Sequence, residues 1–290
     1  MTTAARSRDG RGRALVEGEF LFTTEDFTAI ARMLYDDAGI ALSESKASLV
    51  YSRLAKRLRT LGIESFQDYC RLVAGSEGVS ERQNMLAALT TNVTRFFREP
   101  HHFDHLKTKV LPELVARARA RGRVRIWSAG CSTGEEPYSI AMTLAESADL
   151  SGWDARILAT DIDTSVVARA EAGVYAADRV QGMDPKRVKR WFEDGSGEHA
   201  GRLRVVRPLR ERIAFRPLNL LGPWPLRGPF DVIFCRNVVI YFDKETQRKL
   251  FARYADILAP HGYLYIGHSE TLFKISDRFR PVGGTIYRKT

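Results

Sequence analysis

The sequence predicts an α/β protein, a doubly wound and largely parallel sheet with a small antiparallel β-subdomain inserted in it, preceded by a small all-α domain. Three observations carry this. Between about 23 and 92, apolar residues recur at helical spacing, cut into pieces by short glycine-containing turns. Beyond about 107, apolar bursts of strand length alternate with helical stretches, the signature of a doubly wound sheet. Between them in character stands the run VRIWSAGCSTGEEPYSIAMTLA, Val124 to Ala145, which reads as strand, small-residue loop and helix. Units of that kind hold ligands at the carboxyl ends of their strands.

In chain order, residues 1–18 are polar and rich in arginine and glycine, and a loose tail is expected there. The helical domain, 19–92, divides into four helices. Phe27, Ile30, Ala31 and Leu34 mark the first, behind a threonine start; Leu49, Leu54 and Leu58 mark the second. Phe66, Tyr69, Cys70 and Val73 mark the third, and Met85, Leu86 and Leu89 the fourth, behind a capping box from Ser80 to Gln83. Turns at Gly39, Gly62, Gly75 and Gly78 separate them. The second helix puts Lys46, Arg53 and Arg57 on one face, flanked by Lys56 and Arg59, with no acid between Glu44 and Glu64. A solvated face is the ordinary explanation of such a run.

The segment 93–106 is expected to link the domains. His101 and His105 lie four apart around Asp104, a spacing a metal site can use, but no third ligand is indicated and no metal is expected. From 107 to 290, strands are predicted at 124–128, 156–160, 212–216, 231–235, 262–267 and 284–288. Helices are predicted at 107–120, 133–148, 164–172 and 244–259, and the last two strands form an antiparallel end to the sheet. The alternation breaks from about 175 to 212. There a helical piece, Pro185 to Phe192, precedes Arg202, Leu203, Arg204 and Val205, which alternate as a half-exposed strand does. An arginine-rich insertion of this kind offers a docking surface.

Charge selects the ligand. Ser132 or Thr133 is expected to cap the helix, with Glu135 and Glu136 in its first turn and Pro137 beside them. Two acids there repel a pyrophosphate and suit a ligand with cationic groups, such as the ammonium and sulfonium of S-adenosylmethionine. They would equally complement the helix dipole without any ligand. The next strand ends in Asp161, where nucleotide-binding α/β folds place an acid on ribose hydroxyls.

The formal charge of +10 gathers at 46–59, 117–125, 186–190 and 202–216, which admits nucleic acid, anionic lipid or an acidic protein as partner. Three widely spaced cysteines, Cys70, Cys131 and Cys235, fit neither a disulfide framework nor a zinc pattern. No apolar run reaches the roughly 20 residues of a membrane span and no signal peptide opens the chain, so a cytoplasmic location is expected.

The motifs TNVTRFFREPHHF, SAGCSTGEEPYSIA, ATDID, PLNLL, FCRNVVIYFD and GHSE, in this order, resemble the CheR family of chemoreceptor glutamate methyltransferases. The resemblance covers the chain from about 23 and implies a Rossmann-like, S-adenosylmethionine-dependent methyltransferase domain with S-adenosylhomocysteine as product. It implies that Asn92, Thr94, Arg98, Glu135, Asp161, Asn219, Leu220, Arg236 and Asn237 surround the cofactor, and that Arg98 and Tyr241 lie nearest the methyl transfer. It further implies that the basic helix with Lys46, Arg53, Arg57 and Arg59 meets the helical methylation segments of receptors. A receptor's C-terminal tether is the corresponding candidate for the β-subdomain, and a monomer is expected. The rival enzyme is a nucleic-acid or other protein methyltransferase of the same fold. An amine-methylating enzyme calls for a (D/N)PP(Y/F)-like loop where this chain reads Arg236-Asn237-Val238-Val239. The rival outside enzymology is a degenerate cofactor-fold binding module, against which the series of motifs speaks.

Overall fold

The computed structural model describes residues 12–117, 122–147 and 152–290. They form two compact units. One gathers the chain up to Thr91 together with Tyr241–Asp243; the other comprises Asn92–Ile240 and Lys244–Thr290.

In the first unit a short ribbon pairs β1 (Ala14–Val16) with β2 (Phe22–Thr23). This strand lies inside the stretch expected as a tail, whose residues 1–11 fall outside the described ones. The apolar pair Leu15 and Val16 gives the segment something to bury. Helix α1 (Thr24–Ala38) begins with a capping box between Thr23 and Asp26 and ends at Gly39, whose φ of 67° suits glycine. Helices α2 (Ala47–Leu61), α3 (Phe66–Ala74) and α4 (Val79–Leu89) follow. Their shared core holds Ile30, Leu34, Leu54, Leu58, Tyr69 and Met85, with the Phe22 and Phe66 rings 4.4 Å apart. The capping box expected at Ser80–Gln83 is not there. A 3₁₀ turn, Ser76–Gly78, runs directly into α4, and Ser80 lies inside the helix. Gly78 fixes that entry by packing on α3, where a Cβ would stand 1.9 Å from the Leu72 carbonyl.

In the second unit the segment 93–106, expected to link the domains, is packed in: Phe96, His102 and Phe103 are buried. Helix α5 (Pro100–His105) continues through a π-helical turn, Leu106–Val110, into α6 (Leu111–Arg117). The helix predicted over 107–120 therefore starts at Pro100, and its last residues, 118–120, lie outside the described ones. Then come β3 (Arg123–Ala129), α7 (Glu135–Ala145), β4 (Asp154–Asp161) and α8 (Thr164–Ala172). The end predicted for α7, residue 148, is likewise outside.

The insertion is a separate three-stranded antiparallel sheet of β5 (Val174–Tyr175), β6 (Phe192–Asp194) and β7 (Leu203–Val205), in the order β5-β7-β6. It includes helix α9 (Pro185–Trp191), and the short α10 (Arg207–Arg210) leads back to the main sheet. The chain closes with β8 (Ile213–Pro217), β9 (Phe230–Cys235), α11 (Lys244–Ile257), β10 (Leu258–Ile266), β11 (Phe279–Gly283) and β12 (Ile286–Lys289).

The seven-stranded sheet has the order β11-β12-β10-β9-β3-β4-β8. From β10 to β8 all neighbours are parallel; β12 and β11 add the antiparallel end. The chain leaves β3 towards β4 and β8, then returns on the other side through β9 and β10. The carboxyl ends of β3 and β9 thus flank the reversal point, where doubly wound sheets bind ligands. No helix among the described residues is long and apolar enough to cross a membrane.

Candidate cofactor and catalytic site

The loop after β3 turns by means of two glycines. Gly130 and Gly134 have φ values of 96° and 95°, a conformation side-chain-bearing residues rarely adopt. Gly130 and Cys131 both donate backbone N–H to the Thr160 carbonyl at 2.8 Å, so the loop is tied to the end of β4. Helix α7 begins after Gly134 with no side-chain cap, which corrects the expectation for Ser132 or Thr133. Ser132 instead donates its hydroxyl to the Asn92 carbonyl, at 3.1 Å, and the Thr133 hydroxyl donates to Glu135.

At the end of β4 the Asp161 carboxylate accepts from the backbone N–H groups of Ser132 (2.8 Å) and Asp163 (3.1 Å). Burial pushes its pKa up, and these bonds oppose that. Each bond takes one of two lone pairs per oxygen, so acceptor capacity remains for hydroxyl donors. The Asn92 amide donates to Asp163 at 3.0 Å, which draws the start of the unit onto the same strand end. Beside them the Leu218 N–H donates to the Asp161 carbonyl. Asn219 accepts from the Leu221 N–H, and Leu220 is buried.

The two acids of α7 serve differently. Glu136 is buried against the Ser128 hydroxyl, at 2.7 Å, and the Arg236 guanidinium, at 3.0 Å. Burial raises its pKa and Arg236 counters this. Glu135 is fully buried and bound by the Arg179 guanidinium, which also donates to the Thr94 carbonyl at 2.9 Å. Arg236 itself is buried, donating further to the Arg98 carbonyl and standing 3.3 Å from Glu99. The Arg98 guanidinium donates to the Val93 carbonyl at 3.0 Å.

Asn237 follows Arg236 in a left-handed conformation, φ 59°. Tyr241 belongs to the first unit, where its carbonyl accepts from the Ala41 N–H at 2.9 Å. In that unit Arg53 donates to the carbonyls of Ala88, Leu89 and Thr90, at the carboxyl end of α4. Arg57 grips Glu81 with two nitrogens, and Arg59 pairs with Glu19. Lys46 and Lys56 are exposed.

Of the residues the sequence suggested for metal-like spacing, His101 belongs to such a group among the described residues, while His105 and Asp104 do not. Glu99, His101 and His102 bring one ligand atom each within 4.8 Å of one another. Both His101 and His102 place Nε2 2.9 Å from the Gly284 carbonyl, and His105 meets the Tyr265 hydroxyl. The Arg236 guanidinium beside Glu99 already places a positive charge there.

Family comparison settles the class. A model described as the CheR methyltransferase SAM binding domain matches residues 92–288, and one described as the CheR methyltransferase all-alpha domain matches residues 25–90. The chain belongs to the CheR methyltransferase family. A probable chemotaxis protein methyltransferase of Rhizobium etli is 50% identical over 260 residues, 89% of this chain and 97% of the relative. Chemotaxis protein methyltransferase 2 of Pseudomonas aeruginosa is 47% identical over 271 residues, 93% and 94% of the two chains. The chemotaxis protein methyltransferase of Klebsiella aerogenes is 43% identical over 291 residues, 100% and 98%.

Around the candidate site residues stand others that the sequence analysis does not single out. Arg179 binds Glu135; Glu99 joins Arg236 to His268; and Glu270 takes several backbone N–H groups. The signal for Glu99 and Glu270 was present, since both fall in motifs quoted for the resemblance. Arg179 lies 44 positions from its partner, with no motif to mark it.

Proposed function

We propose that the protein transfers a methyl group from S-adenosylmethionine to glutamate side chains of chemoreceptors, giving glutamyl methyl esters and S-adenosylhomocysteine. The observation that carries this reading is the carboxylate of Asp161 held by two backbone N–H groups beside a double-glycine loop, within a CheR-type domain. Such a donor set fits the cofactor: an oriented carboxylate for hydroxyls, and loop glycines that admit close approach. Chemotaxis appears in the names of the relatives, and receptors are the proteins whose methylation would serve it.

Asp161, Asn92, Thr94, Glu135, Asn219, Leu220, Arg236 and Asn237 would hold the cofactor. When bound, the cofactor would supply a methyl group carried on a sulfonium, which a carboxylate can accept. A glutamate with a reference pKa near about 4.3 is already ionised at neutral pH, so no base is needed. The task left to the chain is orientation and exclusion of water, which supply several kcal/mol of barrier lowering. Arg98 suits an anionic acceptor, since a guanidinium can hold a carboxylate with two donors. It must not hold it too firmly, because the carboxylate loses charge in the transition state. Tyr241 directs one carboxylate oxygen. Glu136 and Arg236 neutralise each other in the interior. No metal takes part.

The test uses labelled S-adenosylmethionine with receptor-bearing membranes, followed by mild alkali. Label released as methanol supports a carboxylate ester. Label that survives alkali, or that enters added nucleic acid, points to the amine-methylating reading favoured by the net charge of +10. Arg98→Ala and Tyr241→Phe should lower turnover while the melting temperature stays near wild type; wild-type rates would remove both from the reaction.

A further inference from the structure

The run Gly267-His268-Ser269-Glu270 directly follows β10 and has no role in the chemistry above. Glu270 is 6% exposed. Its carboxylate accepts from four backbone N–H groups. Oε2 takes Gly267 at 2.5 Å and Asn237 at 3.0 Å; Oε1 takes Val239 at 2.9 Å and Ile240 at 3.3 Å. A carboxylate offers about four lone-pair sites, so this one is saturated by main-chain donors.

The arrangement answers a local need. Asn237 leaves β9 in a left-handed conformation, and a short 3₁₀ turn begins two residues later at Val239. The Val239 N–H opens that turn with no partner inside it and is buried, and an unpaired buried donor is costly. An acidic side chain is the one group that accepts from all sides; a glutamine would turn its NH₂ towards two of the four donors. The Glu270 N–H closes its own turn on the Gly267 carbonyl at 2.9 Å, which holds the acceptor in place.

A second observation is independent of these bonds. A Cβ on Gly267 would stand 2.5 Å from Asn237 Nδ2 and 2.8 Å from its backbone nitrogen. The Asn237 side chain rests on the space where residue 267 has none. The same turn also reaches the loop after β3, since a Cβ on Gly130 would lie 2.4 Å from Val238 Cγ2. On the other flank, His268 donates its backbone N–H to Glu99 Oε1 at 3.2 Å, with its ring nitrogen 3.0 Å from the same oxygen.

We propose that Glu270 and Gly267 are positioning residues for the cofactor, acting through Asn237: one pins the turn by its main chain, the other clears the seat of its side chain. This rests on the reading of Asn237 as a cofactor contact.

The experiment compares Glu270→Gln, Gly267→Ala and Asn237→Ala in the full-length protein. Calorimetry with S-adenosylhomocysteine gives affinity, and rates with receptor-bearing membranes give KM for S-adenosylmethionine and kcat. Amide hydrogen exchange reads Asn237, Val239 and Ile240 directly. In Glu270→Gln these three amides should exchange at least tenfold faster while those of β4 keep their rates. Affinity should fall, and KM rise, by tenfold or more in both turn variants, with kcat changed less than threefold.

Faster exchange with wild-type affinity would overturn the proposal, because the turn would then be held for no purpose at the cofactor. Should Glu270→Gln unfold, Gly267→Ala decides: it keeps all four hydrogen-bond partners, and wild-type affinity in it would likewise overturn the proposal. Wild-type affinity in Asn237→Ala would overturn it for a separate reason, the loss of the contact on which it rests.

Discussion

Asp161 and His102 show how single buried side chains commit the molecule. Asp161 is oriented before any ligand arrives, by two N–H groups from separate turns. Its replacement by alanine removes an acceptor worth about 1.5–3 kcal/mol in hydrogen bonds to charge. The affinity for S-adenosylhomocysteine should fall by roughly tenfold to a hundredfold in calorimetry. Unchanged affinity would take Asp161 out of the site. His102 is wholly enclosed, and burial, helped by Arg236, pushes its pKa down to about 3. In the unfolded chain the ring takes up a proton below about 6.5. The neutral ring's contribution to stability is therefore complete above pH 6.5 and is lost as pH falls towards 3, by up to about 1.4 kcal/mol per unit. Denaturant unfolding at pH 7 and pH 4.5 should show wild type losing up to about 2–3 kcal/mol more than His102→Gln. Equal losses would place the acid sensitivity in other groups.

Among the elements, α2 carries the clearest lesson. Its basic face is regular in sequence, yet Arg53 and Arg57 are spent on α4: one on carbonyls at that helix's end, the other on Glu81, which also accepts from Tyr69. Cations are favoured at helix carboxyl termini, so Arg53 has a structural occupation independent of any receptor. Arg57→Ala should cost about 1.5–3 kcal/mol in denaturant unfolding, since Glu81 is left buried beside a tyrosine. The receptor-docking role that the resemblance implies for this face is better tested at Lys46 and Lys56, both exposed. Their reversal to glutamate should leave stability unchanged, slow receptor methylation, and reduce its dependence on salt. Equal rates at low salt would move docking elsewhere, with the insertion from 202 to 212 the next place to examine. Periodicity made the helices and the parallel strands legible, because each buries a face whose spacing is written locally. Partnerships between residues 24 to 44 positions apart, such as Arg57 with Glu81 and Arg179 with Glu135, leave no local trace. Strand β11 escaped for another reason: only Phe279 of its five residues is buried, and a proline stands in its middle. An edge strand with one anchored residue has no alternation to read. The cap of α7 leaves no such signal, because a left-handed glycine, not a hydroxyl, sets its start.

For the whole molecule, ligand binding and folding are linked. S-adenosylhomocysteine at a hundred times its Kd should add about 2.7 kcal/mol to stability, raising the melting temperature. A chelator should leave both the affinity and the shift as they were, and loss of either with chelator would require a metal. One feature of the helical unit reaches beyond equilibrium. Its fold includes Tyr241–Asp243: Phe242 bridges Ile40, Tyr241 accepts from Ala41, and Tyr35 donates to Asp243 at 2.6 Å. On the ribosome those partners are made about 200 residues apart, so at about 5–20 residues per second the first helices wait roughly 10–40 s for their last strip of chain. Through that interval the nascent helical unit is incomplete at Ile40. A gene fragment ending at residue 91 would leave it so permanently.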